Sequence, residues 1–346
     1  MKLISIKRKW WLDKRSRIKN QRLSKCNLKI KTSRSIKLLR QSEVYTWKAP
    51  RLFDLSERIT RSKLIVRIED LKQMLSQAET KICLDFSNVE KFYADGVLLF
   101  WAELNRSIQK RSCGTQGITC ITPINHKIAQ VLKQIGFYDL IGFSQTVTPI
   151  DEDVINWRVA HGSKADGSKY EEVLGNFDGS IAAPLQEHLY TGITEAMTNV
   201  ANHAYFLPRS GEQTLSKSKD WWMFSQYRQG TLTVAFVDLG SGIPVTLPLK
   251  NPNLWKKIKS FVKHGLRRDG AAIEFAIGDS ISRTQLAHRG KGLGQIVSVI
   301  QSANKGAISI FSNYGRYARG QSYNYQDSIK GTMICWNMSI EDKEST

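Results

Sequence analysis

The chain reads as an α/β protein. Between residues 46 and 145, short apolar strands alternate with segments of helical periodicity. In the C-terminal half, an amphipathic segment over 184–205 precedes an apolar strand over 231–238 that ends in an acid. A glycine-rich turn over 288–294 then runs into another apolar helix. The hydrophobic content of 41% and the charged content of 24% are those of a globular protein, and 346 residues suffice for about two domains.

The first α/β unit is justified element by element. KICLDFSNV (81–89) is an apolar strand closed by the turn formers Asp85, Ser87 and Asn88. The next helix lies within FYADGVLLFWAELNRSIQKR (92–111). Asp95 is its expected N-cap, and Val97, Phe100, Trp101, Leu104 and Ile108 form its expected buried stripe. GITCITP (117–123) is a second strand. Over 125–143, Ile128, Val131, Leu132 and Ile135 fall on one helical face, and Gly136 stands where a C-terminal cap belongs. The stretch ICLDFSNVEKFYADGVLLF and the later VLKQIGFYDLIGF resemble the STAS domain of bacterial anti-sigma-factor antagonists. The phosphorylatable members of that family carry a Ser just before the Gly of this helix start. Here Asp95 stands there, either imitating a phosphorylated residue or capping the helix.

Residues 149–180 are rich in Ser, Gly and Asp with weak periodicity, and are expected to be a linker. VINWRV (154–159) is a strand candidate for either side.

The chemistry is concentrated in three segments. In PLQEHLYTGITEAMTNVANHAY (184–205), Leu185, Leu189, Ile193, Met197 and Val200 make the core stripe. Glu195, Asn199 and Asn202 make a second stripe at i, i+4 and i+7. A carboxylate there can activate a water or hydroxyl. An Asn oxygen suits Mg²⁺, which prefers oxygen ligands and substrate phosphates. TLTVAFVD (231–238) ends in Asp238, which can accept a hydrogen bond from an exocyclic amine. The following Gly240, Gly242 and Ile243 let the backbone turn close to a flat ligand. HRGKGLGQIVSVIQ (288–301) places Gly290, Gly292 and Gly294 before a helix. Backbone N–H groups at such a turn attract phosphate, and Arg289 and Lys291 add charge. The spacing is neither a Walker A loop nor a Rossmann fingerprint.

Together these segments resemble the boxes of the GHKL superfamily of ATP-binding domains, most closely the anti-sigma-factor serine kinases. The matching residues are Glu195, Asn199, His203 and Ala204; then Asp238, Gly240 and Gly242; then Gly290, Gly292, Leu293 and Gly294; and last Gly331 and Thr332. The resemblance implies ATP and Mg²⁺ as cofactors. It makes Glu195 the candidate base, Asn199 the Mg²⁺ ligand, and Asp238 the reader of adenine with Thr332 nearby. It places the glycines of 290–294 at the phosphates and makes 245–289 a mobile lid. In that lid, 254–268 is an amphipathic helix and DSISRTQ (279–285) a flexible polar stretch. The implied fold over 181–346 is a two-layer α/β sandwich. Its sheet is mixed and largely antiparallel, with strands near 221–228, 231–237, 307–312 and 331–339. A smaller STAS-like unit over 46–148 precedes it.

Charge marks off a further part. Residues 1–40 hold fifteen Lys or Arg against the single acid Asp13, a balance of +14 out of +20 for the chain. With Trp10, Trp11 and spaced aliphatics, this basic extension (1–45) suits nucleic acid, an acidic protein or an anionic membrane surface. A solvated tail is the plainer alternative. The five cysteines are scattered without a Cys-x-x-Cys pair, which excludes a disulfide framework and a zinc site and points to a reducing, cytoplasmic setting. No apolar run approaches the ~20 residues of a membrane span, and no secretory signal is visible.

Three functions compete on this reading. They are an ATP-hydrolysing or ATP-gated regulatory switch, a serine/threonine kinase acting in trans, and a non-catalytic ATP-sensing nucleic-acid binder. A homo-oligomer is compatible with each.

Overall fold

Period-two alternation in four long strands decides the architecture. The computed structural model describes residues 44–77, 80–177, 181–261, 268–284, 292–301 and 306–340. The basic extension through residue 43 and the stretch 285–291 lie outside the described residues.

The N-terminal elements are strands β1 (Val44–Lys48), β2 (Leu52–Phe53), β3 (Lys81–Asp85), β4 (Lys91–Phe92) and β5 (Ile118–Ile121), with helices α1 (Arg58–Leu75), α2 (Ala94–Lys110), α3 (His126–Gln134) and α4 (Phe137–Leu140). β1, β3 and β5 form a parallel sheet with β3 in the middle, and β2 pairs with β4 in a parallel two-stranded ribbon. Asn125 caps α3 by accepting from the backbone of Lys127 and Ile128, and Gly136 breaks the helix at φ 71°.

The expected linker is structured. Helix α5 (Glu152–Ile155) leads into strand β6 (Arg158–Gly162), and helix α6 (Ser168–Leu174) buries Tyr170, Val173 and Leu174. β6 forms one edge of a second sheet. The others in it are β7 (Trp221–Arg228), β8 (Thr231–Asp238), β9 (Gly306–Ser312), β10 (Gly315–Ala318), β11 (Gln321–Asn324) and β12 (Thr332–Ser339), in the order β11-β10-β9-β12-β8-β7-β6. All its pairings are antiparallel, so the expected mixed sheet is corrected.

The four long strands send alternate residues to two cores. Trp221, Met223, Leu232, Val234, Phe236, Ile310, Ile334 and Trp336 face α6 and the helices α7 (Ala183–Asn199), α10 (Asp269–Thr284) and α11 (Gly292–Gln301), which follow in the chain with α8 (Ile243–Lys250) and α9 (Pro252–Phe261). Trp222, Phe224, Ala235, Val237, Phe311, Met333 and Cys335 enter the core of the N-terminal unit instead. The expected two-layer sandwich is therefore covered on its second face as well. A sheet buried on both faces reads as near-continuous apolar strands, which is the pattern of WWMF and VAFV.

Helix α2 explains how the two units share a core. Of its seventeen residues fourteen are buried, more than one stripe. It lies between the aromatic cluster of Trp47, Phe53, Phe86 and Phe137 and the large sheet, where Trp101 meets Phe224 edge to face. Such burial leaves no broad face for water, and the buried Glu103 and Arg106 are paired with Arg209 and Glu212. Burial of each large aromatic is worth about 1.5–3 kcal/mol. No helix of the described residues is long and apolar enough to cross a membrane.

The α2 start corrects one expectation. Its N-cap is Tyr93, and Asp95 lies inside the first turn, where its carboxylate accepts from the backbone N–H of Gly96 at 2.7 Å. Burial, and then the neighbouring Asp54, push the Asp95 carboxyl up to about 6. The helix can approach β2 this closely because residue 96 is Gly. A Cβ there would lie 2.3 Å from the Phe53 carbonyl carbon.

Candidate functional site

The end of β8 places the acid singled out from the sequence. Asp238 pairs with Trp221 on one side and Thr332 on the other, and Thr332 pairs with Ser312. Alternation puts this row of four residues on the helix-bearing face, where Trp221 belongs to the core and Asp238, Thr332 and Ser312 lie beyond Phe236, Ile334 and Ile310. Asp238 is 6% exposed. Burial pushes its carboxyl up to about 6, against hydrogen bonds from Gly240 and Thr332 that favour the charged form. Ser312 Oγ and Thr332 Oγ1 are 3.1 Å apart.

The loop after Asp238 is held by protein groups on every side. Gly240 N donates to Asp238 Oδ1 at 2.9 Å, and Ile243 N to Ser312 Oγ at 2.8 Å. Ser241 N donates to the Ala204 carbonyl at 2.7 Å. Gly240 lies so close to that carbonyl that a Cβ would stand 2.3 Å from it, and Gly242, at φ +81°, packs on the Asn313 amide. The two glycines thus serve contacts within the protein, beside any close approach to a ligand.

Helix α7 brings the second group. Leu185, Leu189, Ile193, Met197 and Val200 are buried as the periodicity requires. Asn199, the last residue of α7, donates from Nδ2 to Glu195 Oε1 at 3.1 Å, and both side chains are half-buried. This donor assignment leaves the Asn199 carbonyl oxygen for another partner. Residues Val200–Ala204 form a π-helical turn. The wider turn changes the angular step and ends the i, i+4, i+7 stripe, so Asn202 is exposed. The same turn delivers the Ala204 carbonyl to Ser241, joining the end of α7 to the Asp238 loop.

The third segment is partly described. Arg289, Gly290 and Lys291 lie outside the described residues. Helix α11 begins at Gly292, with Leu293 half-buried and Gly294 buried. It packs against α7 where a Cβ on Gly192 would lie 2.7 Å from Val299 Cγ2, and Trp336 Nε1 donates to the Ile296 carbonyl at 2.8 Å.

The expected lid is largely helical. α8, α9 and α10 occupy most of 243–284, while 262–267 and 285–291 lie outside the described residues. DSISRTQ is corrected from a flexible stretch to helix through Thr284. The start of α10 is anchored by Tyr314 N donating to Asp269 Oδ2 at 3.1 Å and by Gly270 N donating to Asn324 Oδ1 at 3.0 Å.

Several supporting residues escaped the sequence reading. Tyr205 Oη accepts from Leu239 N at 3.2 Å and donates to the Asp220 carbonyl. Arg106 on α2 donates to the Leu239 carbonyl at 2.8 Å. Arg209 donates to the Ile329 and Lys330 carbonyls, just ahead of Thr332, and pairs with Glu103. The partners of Arg106 and Arg209 lie more than a hundred residues away, and Leu239 lies 34 residues from Tyr205, so no local pattern marks them.

The donor set fits a hard cation only as a minor ligand. Among the described residues no group of three or more His, Cys, Asp or Glu is gathered as a metal cage. A single Asn oxygen beside a carboxylate suits Mg²⁺ that keeps its waters and its substrate phosphates. No protein-family model matches the chain, and no curated protein matches it.

Proposed function

We propose that residues 181–346 form a GHKL-type ATP-binding unit working as a regulatory switch. Its neighbour over 46–148 is a STAS-like unit. The observation that carries the reading is the row Asp238–Thr332–Ser312 on the helix-bearing face, joined to the Glu195–Asn199 helix end through the Ala204–Ser241 hydrogen bond. A buried strand-end carboxylate beside a hydroxyl offers an acceptor and a donor to a purine edge. Asn199 would hold Mg²⁺, and Glu195 would orient and deprotonate a nucleophile. The glycines around 290–294, with Arg289 and Lys291, would receive phosphate at the α11 N-terminus.

One observation favours a switch over self-phosphorylation at the STAS-like position. Asp95 is buried under the face of the large sheet opposite to Asp238, beside Asp54. Phosphoryl transfer to a partner in trans remains the second enzymatic reading, with Glu195 as base in either case. The basic residues 1–40 are assigned to nucleic acid, with an acidic protein as the alternative partner.

The experiment is incubation of the purified chain with γ-labelled Mg-ATP beside Glu195→Ala, following free phosphate and protein-bound label, with and without nucleic acid. Glu195-dependent free phosphate supports the switch. Label on protein supports the kinase. Neither product despite ATP binding removes the catalytic role from Glu195. Deleting residues 1–40 should abolish salt-sensitive nucleic-acid binding.

A further inference from the structure

A second cavity lies on the other side of the large sheet, and Arg106 and Arg209, which brace the Asp238 loop and the approach to Thr332, form part of its wall. It measures about 360 Å³ and is bounded by the ends of α1 and α2 and by the loop at 209–212. Its wall holds the cations Lys72, Arg106, Lys110, Arg111 and Arg209 against only two carboxylates, Glu103 and Glu212.

The acceptors in this wall are already taken. Glu103 is held by Arg209 and Lys72, and Glu212 by Arg106 and Lys110. The hydroxyls of Ser76 and Ser107 donate to the Gln73 and Glu103 carbonyls, so they too offer no proton inward.

Donors, by contrast, are left over. Lys110 Nζ has three protons and one carboxylate partner at 2.9 Å. Arg111 is 8% exposed and uses its Nη groups on the Gly114, Gln116 and Thr80 carbonyls, which fixes its positive charge in the wall. Lys72, crowded by burial and Arg209, is held below the usual ammonium range despite Glu103 and Glu69.

We propose that this cavity is a binding site for a small phosphorylated molecule. Its phosphate would sit against Lys110 and Lys72, within the field of the fixed Arg111 charge, and Leu75 would supply an apolar wall. Phosphate brings only acceptor oxygens when fully ionised, which matches a wall of surplus donors and net positive charge. The volume lies at the lower end of the range for small-ligand sites.

Pyrophosphate is the probe. It would be titrated calorimetrically into the full chain at about 0.15 M salt, where long-range screening reduces loose binding to exposed cations. Lys110→Glu and Lys72→Met should each weaken binding by about tenfold or more, with circular dichroism confirming the fold. Lys110 is more than half exposed, so its variant carries the test if Lys72→Met fails to fold. Unchanged affinity in Lys110→Glu, or no binding to wild type, overturns the proposal.

Discussion

The guanidinium of Arg106 donates to the main-chain carbonyl of Leu239 at 2.8 Å. Arg106 belongs to the helix at the centre of the N-terminal unit, and Leu239 follows the buried Asp238. The two halves of the chain thus meet at the residue after the proposed adenine-reading acid. Arg209 makes the matching contact ahead of Thr332 while pairing with Glu103 of the same helix.

Arg106→Met should therefore destabilise the protein. It strips a buried carbonyl of its donor and removes one of the two cations on Glu212, at a cost of about 1–3 kcal/mol. Urea unfolding of the variant beside wild type measures this. A change below about 0.5 kcal/mol would show that water replaces the guanidinium.

Asp95→Asn should stabilise the protein at neutral pH. The native carboxyl titrates near 6 rather than 3.8, so between these values the folded state holds a proton that the unfolded state releases. Stability from this group is present below pH 3.8 and is lost as pH rises through 6. Asparagine keeps the acceptor for Gly96 N–H and never ionises. A gain on the order of 1–3 kcal/mol at pH 7, shrinking toward pH 4, is expected in urea melts across that range.

Gly96→Ala tests how closely helix and ribbon approach. Ala is intrinsically better than Gly in a helix by about 1 kcal/mol. Its Cβ would stand 2.3 Å from the Phe53 main chain, so overpacking should outweigh propensity and lower the melting temperature. A rise in melting temperature would mean that β2 yields freely.

Much of this was legible in the chain. The stripe Leu185, Leu189, Ile193, Met197 and Val200, and the strand ending at Asp238, follow from local periodicity alone. The second face of the large sheet was not read, although VLLFWAEL signalled it. A buried stripe of Val97, Phe100, Trp101, Leu104 and Ile108 does not mark the burial of the charged residues beside it, and the strands WWMF and VAFV fit either one buried face or two. β6 and β11 are short edge strands and β10 a short strand between β11 and β9; VINWRV marks only the start of β6, whose partner β7 lies about sixty residues on. Asn202 was placed by assuming an unbroken α-helix, and the π-helical turn carried it off the stripe. Arg209 sits in a polar loop, where nothing local distinguishes a buried guanidinium from a solvated one.

Calorimetric titration of Mg-ATP into the wild-type chain and into Asp238→Asn tests the central claim most directly. The amide preserves the acceptor oxygen for Gly240 but removes the carboxylate from the purine edge. Wild type should bind Mg-ATP, and the variant should lose about tenfold or more in affinity while remaining folded. Absence of ATP binding by wild type, or equal affinity in Asp238→Asn, would contradict the account.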